Sequence, residues 1–348
     1  MSGWNGAAVV ISATREAASD HAFSVQDVDN AVSELTIAIT VDLPSGDGAV
    51  SDNGDGTFGT LELTAIDVTV NEAAATDIGA STIGGDASFT STGAVTDSGT
   101  IAVTGTTTIN AGANNITFNN GDGTFGTLEL TAIDVTITEN AATDIGASTI
   151  GGVASFTASG DVTDSGAIII SGTTTVNAGG NNITLNNGDG TYGTLQLLGN
   201  NVTVDENADT DIGASSIGGT LTVDSAGNIT DSGTIAVAST TTINAGANNI
   251  TLTDGDGTFG TLQLTGNNVS VEENAGTDIG TSSITGTLTV DSAGNITDGG
   301  TIAVASTTII TRCMGIITIF TRQIHILNPK GTHFAVTRHM SRLTELEA

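Results

Sequence analysis

The residues best suited to chemistry in this sequence are aspartates set between glycines. Gly-Asp-Gly-Thr-Phe/Tyr-Gly-Thr-Leu begins at residues 54, 121, 188 and 255. Carboxylates with turn carbonyl oxygens are ligands that Ca²⁺ prefers, although the spacing is not that of an EF-hand loop. The alternative is an Asp that hydrogen-bonds its own turn. Calcium is therefore predicted as an optional ligand and not as a required cofactor. The candidate ligands are Asp55, Asp122, Asp189 and Asp256, with Asp27 and Asp29 as further candidates.

Catalytic side chains are scarce between the two ends of the chain. No His lies between His21 and His325, which leaves the intervening sequence without a Ser-His-Asp or Cys-His arrangement. Enzymes that cleave acidic sugars need Arg or Lys beside the substrate carboxylate, and neither occurs between Arg15 and Arg312. We therefore expect that the protein is not an enzyme, and a carbohydrate-active β-helix enzyme is the alternative kept open.

The charge of the chain excludes two classes of partner. There are 38 acidic and only 6 basic residues, which gives a net charge of −32. A nucleic-acid surface needs Lys and Arg to displace counterions from phosphates, and a membrane-surface anchor needs a polybasic segment. No apolar run approaches the ~18 residues of a spanning helix. The first residues show no charged segment followed by an apolar one, so no secretory signal peptide is recognised. We expect neither nucleic-acid binding nor membrane insertion.

An internal repeat organises most of the chain. The Gly-Asp-Gly turns recur at a step of 121 − 54 = 67 positions, and Thr-Asp-Ile-Gly recurs with its aspartate at the same step. The repeated part holds 28 acidic residues and no Lys or Arg. A fixed period of this kind indicates an array or a solenoid. The predicted repeat region is 54–308, divided into 54–120, 121–187, 188–254 and the partial copy 255–308. The recurring aspartates are Asp77, Asp144, Asp211 and Asp278.

Short alternating segments inside each repeat predict the fold. Leu61 and Leu63 alternate with Glu62, and Val68 and Val70 follow in the same pattern. Period 2 puts the apolar residues on one face of a strand, and stacked coils bury that face. We predict an all-β, right-handed parallel β-helix with about three coils of roughly 22 residues per repeat. About 11 to 12 coils at ~4.8 Å each would give ~55 Å. Tandem β-sandwiches are the alternative, although one repeat is short for a sandwich of about 100 residues.

The two ends differ from the repeats. Residues 1–53 contain an alternating strand at 35–41, and a turn at 52–58 runs from this segment into the first repeat. The segment resembles a fragment of cadherin-like or immunoglobulin-like modules. Residues 309–348 hold five of the six basic residues, and the change falls within a repeat. We hypothesise a frameshift or a chimeric gene end that leaves this tail poorly ordered. A genuine C-terminal cap, which solenoids need, is the alternative.

Two stretches resemble known surface proteins. Residues 220–233 and 240–252 read TLTVDSAGNITDSG and TTTINAGANNITL. They resemble repeats of filamentous-haemagglutinin-like and related giant bacterial surface adhesins. The resemblance implies a non-enzymatic stalk or adhesin at the cell surface or outside the cell, with a host-cell, surface or glycan receptor that the sequence does not name. It also implies that the chain is part of a larger polypeptide. A calcium-dependent or carbohydrate-binding module is the alternative function.

Overall fold

The residues that the structure describes form β-strands joined by turns and bends. A computed structural model describes residues 59–254 and 257–313, together with short strands outside that range. Side chains are described for 59–310 except 122, 188, 189, 255 and 256. In this described part, no helix is long and apolar enough to cross a membrane. The chain divides into two compact units, Met1–Gly172 and Thr173–Ala348, here called unit 1 and unit 2.

Unit 1 contains strands β1 to β18. They are β1 Val9–Thr14, β2 Phe23–Ser24, β3 Thr36–Asp42, β4 Ala49–Ser51, β5 Thr60–Ala65, β6 Asp67–Glu72, β7 Thr76–Ile78, β8 Ser81–Ile83, β9 Ala87–Ser91, β10 Val95–Asp97, β11 Ile101–Asn110, β12 Ile116–Ala132, β13 Val135–Glu139, β14 Thr143–Ile145, β15 Ser148–Ile150, β16 Ala154–Ala158, β17 Val162–Asp164 and β18 Ile168–Ile170.

Unit 2 contains strands β19 to β40. They are β19 Thr173–Asn177, β20 Ile183–Gly190, β21 Thr194–Gly199, β22 Val202–Glu206, β23 Thr210–Ile212, β24 Ser215–Ile217, β25 Leu221–Ser225, β26 Ile229–Asp231, β27 Ile235–Val237, β28 Thr240–Asn244, β29 Ile250–Leu252, β30 Thr261–Gly266, β31 Val269–Glu273, β32 Thr277–Ile279, β33 Ser282–Ile284, β34 Leu288–Ser292, β35 Ile296–Asp298, β36 Ile302–Val304, β37 Thr308–Cys313, β38 Ile317–Thr318, β39 Ile324–Leu327 and β40 His333–Val336.

Parallel pairing stacks the coils of unit 1, and two of its ladders, here called the first and the second ladder, show how long a coil is. Each residue pairs with one in the next coil, so the sequence offset of a pair measures the length of a coil. The first ladder runs through Thr60, Asp77, Thr96, Thr117, Thr136 and Ser155. The second runs through Val68, Ala87, Thr107, Leu128, Ile145 and Asp164. The prediction of a parallel β-solenoid is therefore confirmed.

The coils are shorter than predicted. Five steps cover 155 − 60 = 95 positions on the first ladder and 164 − 68 = 96 on the second. A coil thus averages about 19 positions, and one repeat makes about three and a half coils instead of three. Glycines at the corners allow successive coils to stack closely. A Cβ on Gly93 would lie 2.6 Å from the backbone N of Ala75, and one on Gly160 would lie 2.7 Å from that of Ala142. A residue with a Cβ could not approach the adjoining coil this closely without a shift of the backbone.

The half coil changes where equivalent residues lie. The shortest step, 78 − 61 = 17 positions, occurs on the first ladder at Leu61–Ile78 and on the second ladder at Leu128–Ile145. These pairs are one repeat apart, since Leu128 corresponds to Leu61. Equivalent residues of the two successive repeats in unit 1 therefore lie on different ladders. If one repeat made three whole coils, equivalent residues of successive repeats would lie on the same ladder.

The core of unit 1 consists of apolar columns that cross the coils. Val70, Phe89, Ile109 and Leu130 follow one another in register. All four are at most 3% exposed. A single five-residue strand cannot make a core, so each coil depends on its neighbours for burial.

Unit 2 repeats this construction. Val204, Val223, Ile243 and Leu264 form a corresponding buried column. The described pairs of this unit are parallel except that of β39 with β40, which is antiparallel.

Strands outside the predicted repeat region pair with strands inside it. In unit 1, β3 pairs with β5 and β4 pairs with β6, both in parallel. In unit 2, β37 pairs in parallel with β34 and with β39. The predicted boundaries at 53/54 and 308/309, and the frameshift hypothesis for the tail, stay predictions.

Candidate functional site

One glutamate in every repeat points into the coil stack. In β6 the inward residues Val68 and Val70 are followed at the same parity by Glu72, which is 3% exposed. Glutamate is almost never this buried without a partner. The same position recurs at the end of β13, β22 and β31, and all its occupants are equally buried. The four residues are Glu72, Glu139, Glu206 and Glu273.

The buried carboxylates hold the Gly-Asp-Gly turns. Glu139 Oε1 accepts a hydrogen bond from the backbone N–H of Phe125 at 2.7 Å, and its Oε2 accepts one from the Thr143 hydroxyl at 2.7 Å. In unit 2, Glu206 accepts from Tyr192 N–H at 2.7 Å. In the three turns whose aromatic residue is described, that residue is the partner and stands fourteen positions earlier. The glutamate therefore fixes the turn to the next coil.

Burial sets the acidity of these groups. It raises the pKa of Glu139 and Glu206 from 4.5 to about 7, while the hydrogen bonds that each accepts lower the pKa in part. The negative charges of Asp209 and Asp211 also raise the pKa of Glu206. Burial raises the pKa of Glu273 in the same way. A carboxyl group of this acidity suits general acid–base chemistry, but these lie among core side chains at 3% exposure or less. Their position favours a structural role.

The aspartate of Thr-Asp-Ile-Gly accepts hydrogen bonds from hydroxyl groups of neighbouring coils. Asp77 accepts hydrogen bonds from Thr60 at 2.7 Å, Thr96 at 3.3 Å and Ser98 at 2.7 Å. Asp144 repeats the arrangement on the second ladder of unit 1. Its partners are Thr127, Thr163 and Ser165. The corresponding sets in unit 2 are Asp211 with Thr194, Thr230 and Ser232, and Asp278 with Thr261 and Thr297. Each of these aspartates ties three coils together.

Asparagine side chains form a hydrogen-bonded row at one corner of unit 2. Asn228 Oδ1 accepts from Asn249 N–H at 3.1 Å, and Asn249 Oδ1 accepts from Asn268 N–H at 3.1 Å. Asn268 Oδ1 continues the row to Thr287 N–H, and Asp209 begins it below Asn228. These side chains satisfy corner N–H groups of the next coil. They are therefore structural.

An open groove of about 440 Å³ crosses four coils of unit 2. Leu198, 42% exposed, forms part of its surface. Its lining contains no acidic, basic or histidine side chain. The remaining residues along it are Thr175, Val176, Asn177, Gln196, Leu197, Ala214, Ser215, Ser216, Thr234 and Ala236. The groove offers hydroxyl and amide groups but no group that could catalyse proton transfer.

The side chains of the predicted calcium ligands lie outside the residues that the structure describes. Asp122 lies in β12 and Asp189 in β20, but their side chains are outside the described residues. Asp27, Asp29, Asp55 and Asp256 lie outside the described residues altogether. Among the residues that are described, no group of three or more His, Cys, Asp and Glu could hold a metal ion. Calcium binding at the named aspartates stays a prediction.

The buried glutamates were not among the predicted site residues. The signal that could have found them is parity, since Glu72 stands two positions after Val70 and four after Val68 in an alternating strand. A search for alternating apolar residues finds the inward apolar positions, but it does not detect an acidic residue that occupies an inward position. The glutamate also recurs in every repeat, and the sequence alone shows this recurrence.

Comparison with known proteins identifies one family of repeats. Four segments match a family model described as repeats of unknown function (DUF5649): residues 65–131, 132–196, 199–265 and 266–319. Together they cover well over half of the chain. The first and third segments each have the same length as the period read from the sequence. No curated protein and no solved structure matches the chain.

Proposed function

The chain belongs to the repeat family DUF5649, and we propose that it is a non-enzymatic structural and adhesive region of a bacterial cell-surface or secreted protein. In this role it would serve as a stalk or as an adhesin. The observation that carries the proposal is that the recurring side chains of the repeat are used to hold coils together. The inward glutamates fix turns, and the outward aspartates tie neighbouring coils.

The arrangement of the repeats supports presentation of a surface in several copies. Within unit 1, the hydroxyl cluster around Asp77 lies on the first ladder and that around Asp144 on the second. Equivalent outward surfaces thus recur on both ladders. Repeated weak sites on one scaffold gain avidity without any new contact. This suits a receptor-binding or surface-binding region better than a single reaction centre.

Adhesion of coated beads tests the proposal. We expect beads carrying the folded whole chain to bind host-cell surfaces more than beads carrying the unfolded chain, because only the folded chain displays the repeated clusters. Beads coated with an unrelated protein of similar negative charge control for electrostatic attachment. Equal binding of the three preparations would contradict an adhesive role.

Calcium dependence is the second hypothesis, and a thermal titration distinguishes it. If the Gly-Asp-Gly turns bind Ca²⁺, millimolar Ca²⁺ should raise the melting temperature more than Mg²⁺ does at equal ionic strength. The matched variant is Asp122→Asn with Asp189→Asn, which removes two of the four Gly-Asp-Gly carboxylates and should reduce the difference between the two ions. On the structural proposal, both ions stabilise equally by relieving repulsion in this acidic chain.

A further inference from the structure

A short segment of β12 leaves the regular pairing. The ladder between β12 and β13 shifts register between Phe118 and Gly123, so residues 119–122 lie between two paired stretches. Asn119 and Asn120 in this segment are both exposed. Their backbone N–H groups donate to Asp97, at 3.0 Å to Oδ1 and 3.3 Å to Oδ2. The backbone is thus held by Asp97 while the Asn120 side chain faces solvent.

The residue that follows Asn120 does not shield the Asn120 side chain from attack by the backbone nitrogen. Gly121 has a φ of +80°, and a Cβ placed on it would be 3.9 Å from its nearest neighbour, Thr138 Cγ2. An unhindered backbone nitrogen after an asparagine can reach the side-chain carbonyl carbon. Asparagine is among the thermolabile residues.

Asn115, five positions earlier, has the opposite surroundings. The next residue, Ile116, is β-branched and fully buried, and its N–H donates to the Asp134 carbonyl oxygen at 2.9 Å. Asn115 Oδ1 accepts from Asp134 N–H at 3.3 Å. The backbone nitrogen and the side-chain carbonyl group that would have to react are therefore both hydrogen-bonded to the next coil. Asn115 is an internal control for Asn120.

The end of the third repeat shows that the segment accommodates a carboxylate. Asp254 occupies the position that Asn120 holds two periods earlier in the chain. The N–H groups of Thr253 and Asp254 donate to Asp231 at 2.8 and 3.3 Å, as those of Asn119 and Asn120 donate to Asp97. Burial raises the pKa of Asp231, and the negative charge of Asp254 adds to this. An acid at position 120 would have the same place beside Asp97.

We propose that Asn120 is a self-modification site, at which the backbone nitrogen of Gly121 converts the amide to aspartate and isoaspartate. The Gly121 nitrogen loses its proton to a base in the solvent and bonds to Cγ of Asn120. The Cγ–Nδ2 bond breaks and ammonia leaves, which gives a cyclic imide. Water then adds to one of the two imide carbonyls and opens the ring, so that the main chain continues through either the α- or the β-carboxyl.

The end of the second repeat offers a further site of the same kind. Asn187 is exposed and precedes Gly188, and the pairing of β20 with β22 shifts register between Leu185 and Gly190. Asn182, which precedes the buried Ile183, is its matched control. Its Oδ1 accepts from Asn201 N–H at 3.2 Å. Unit 2 therefore offers its own comparison between an exposed Asn-Gly pair and an asparagine that precedes a buried β-branched residue.

Peptide mapping of the folded whole chain tests the proposal. Trypsin cannot cut the repeats, but chymotrypsin can release residues 119–125 after Phe118 and Phe125. After incubation in mildly alkaline buffer, the mass increase that replaces NH₂ by OH should accumulate at Asn120 and Asn187. It should stay undetected over the same time at Asn115 and Asn182. Part of the product should carry isoaspartate, which blocks cleavage by an aspartate-specific protease.

Two variants complete the experiment. Asn120→Gln should stop the change at this position, because glutamine closes a larger ring more slowly, and should leave Asn187 reacting as before. The 119–125 peptide of Asn120→Asp should coelute with the aspartate form of the same peptide from the aged protein. Conversion of Asn120 no faster than that of Asn115 in the folded chain overturns the proposal. So does conversion that begins only after the chain is denatured.

Discussion

The protein should unfold at a lower temperature as the pH rises from about 5 to about 8, and the buried glutamates should account for much of this change. Burial raises the pKa of Glu139 and Glu206 above the ordinary 4.5, to about 7. The folded state therefore binds their protons more tightly than the unfolded state does. The stabilisation is complete below pH 4.5 and is lost as the pH rises through about 7. The difference between the two pKa values corresponds to roughly 3 kcal/mol for each glutamate.

Glu139→Gln separates this effect from the general repulsion of an acidic chain. Glutamine keeps an acceptor for Phe125 N–H and can donate to the Thr143 hydroxyl, so the variant should be close to wild type near pH 5. Near pH 8 it should be more stable by up to about 3 kcal/mol, because it has no proton to lose. Glu62→Gln removes the same charge from an exposed position and should change little at either pH.

Thermal unfolding followed by circular dichroism at the two pH values measures the difference. Unit 1 contains both the variant and its control, so the comparison is made within one compact unit. If Glu139→Gln shifts the melting temperature equally at both pH values, or no more than Glu62→Gln does, the buried glutamate is not the source of the pH dependence.

Replacing one core phenylalanine should have a similarly large effect at any pH. Phe89 is 1% exposed and lies in register between Val70 and Ile109 of the adjoining coils. Phe89→Ala should cost about 3–5 kcal/mol, because it removes apolar area and leaves a cavity. The loss of this side chain affects three coils, because the core residues of the two adjoining coils cannot be buried by their own strands alone.

Two matched variants test the cause. Phe89→Leu keeps most of the volume and should cost about 1 kcal/mol. Ile169→Ala removes apolar atoms from a side chain that is 48% exposed and should stay within about 0.5 kcal/mol of wild type. Denaturant unfolding of the three variants measures these differences. Equal destabilisation by Phe89→Ala and Ile169→Ala would show that the inward column does not carry the stability of unit 1.

Alternation in the sequence was sufficient to predict which residues form the core. Leu61, Leu63, Val68 and Val70 were expected on an inward face, and all four are buried. The period of the repeat was read from turns that recur without insertion, and the matched family has the same period. The length of the coil was not predictable in the same way. It depends on which residues of successive coils pair, and that pairing is a property of stacking.

The sequence by itself determined the class of fold, because period-2 alternation and a fixed repeat admit few solutions other than stacked parallel strands. It also determined the acidic surface, since no Lys or Arg occurs between Arg15 and Arg312. Only the tertiary structure decided that a repeat makes three and a half coils, which places Asp77 and Asp144 on different ladders. It alone showed that Glu139 holds the turn at Phe125. The physical reason is that both facts depend on contacts between coils, and residues that touch across coils are about 14 to 23 positions apart in the chain.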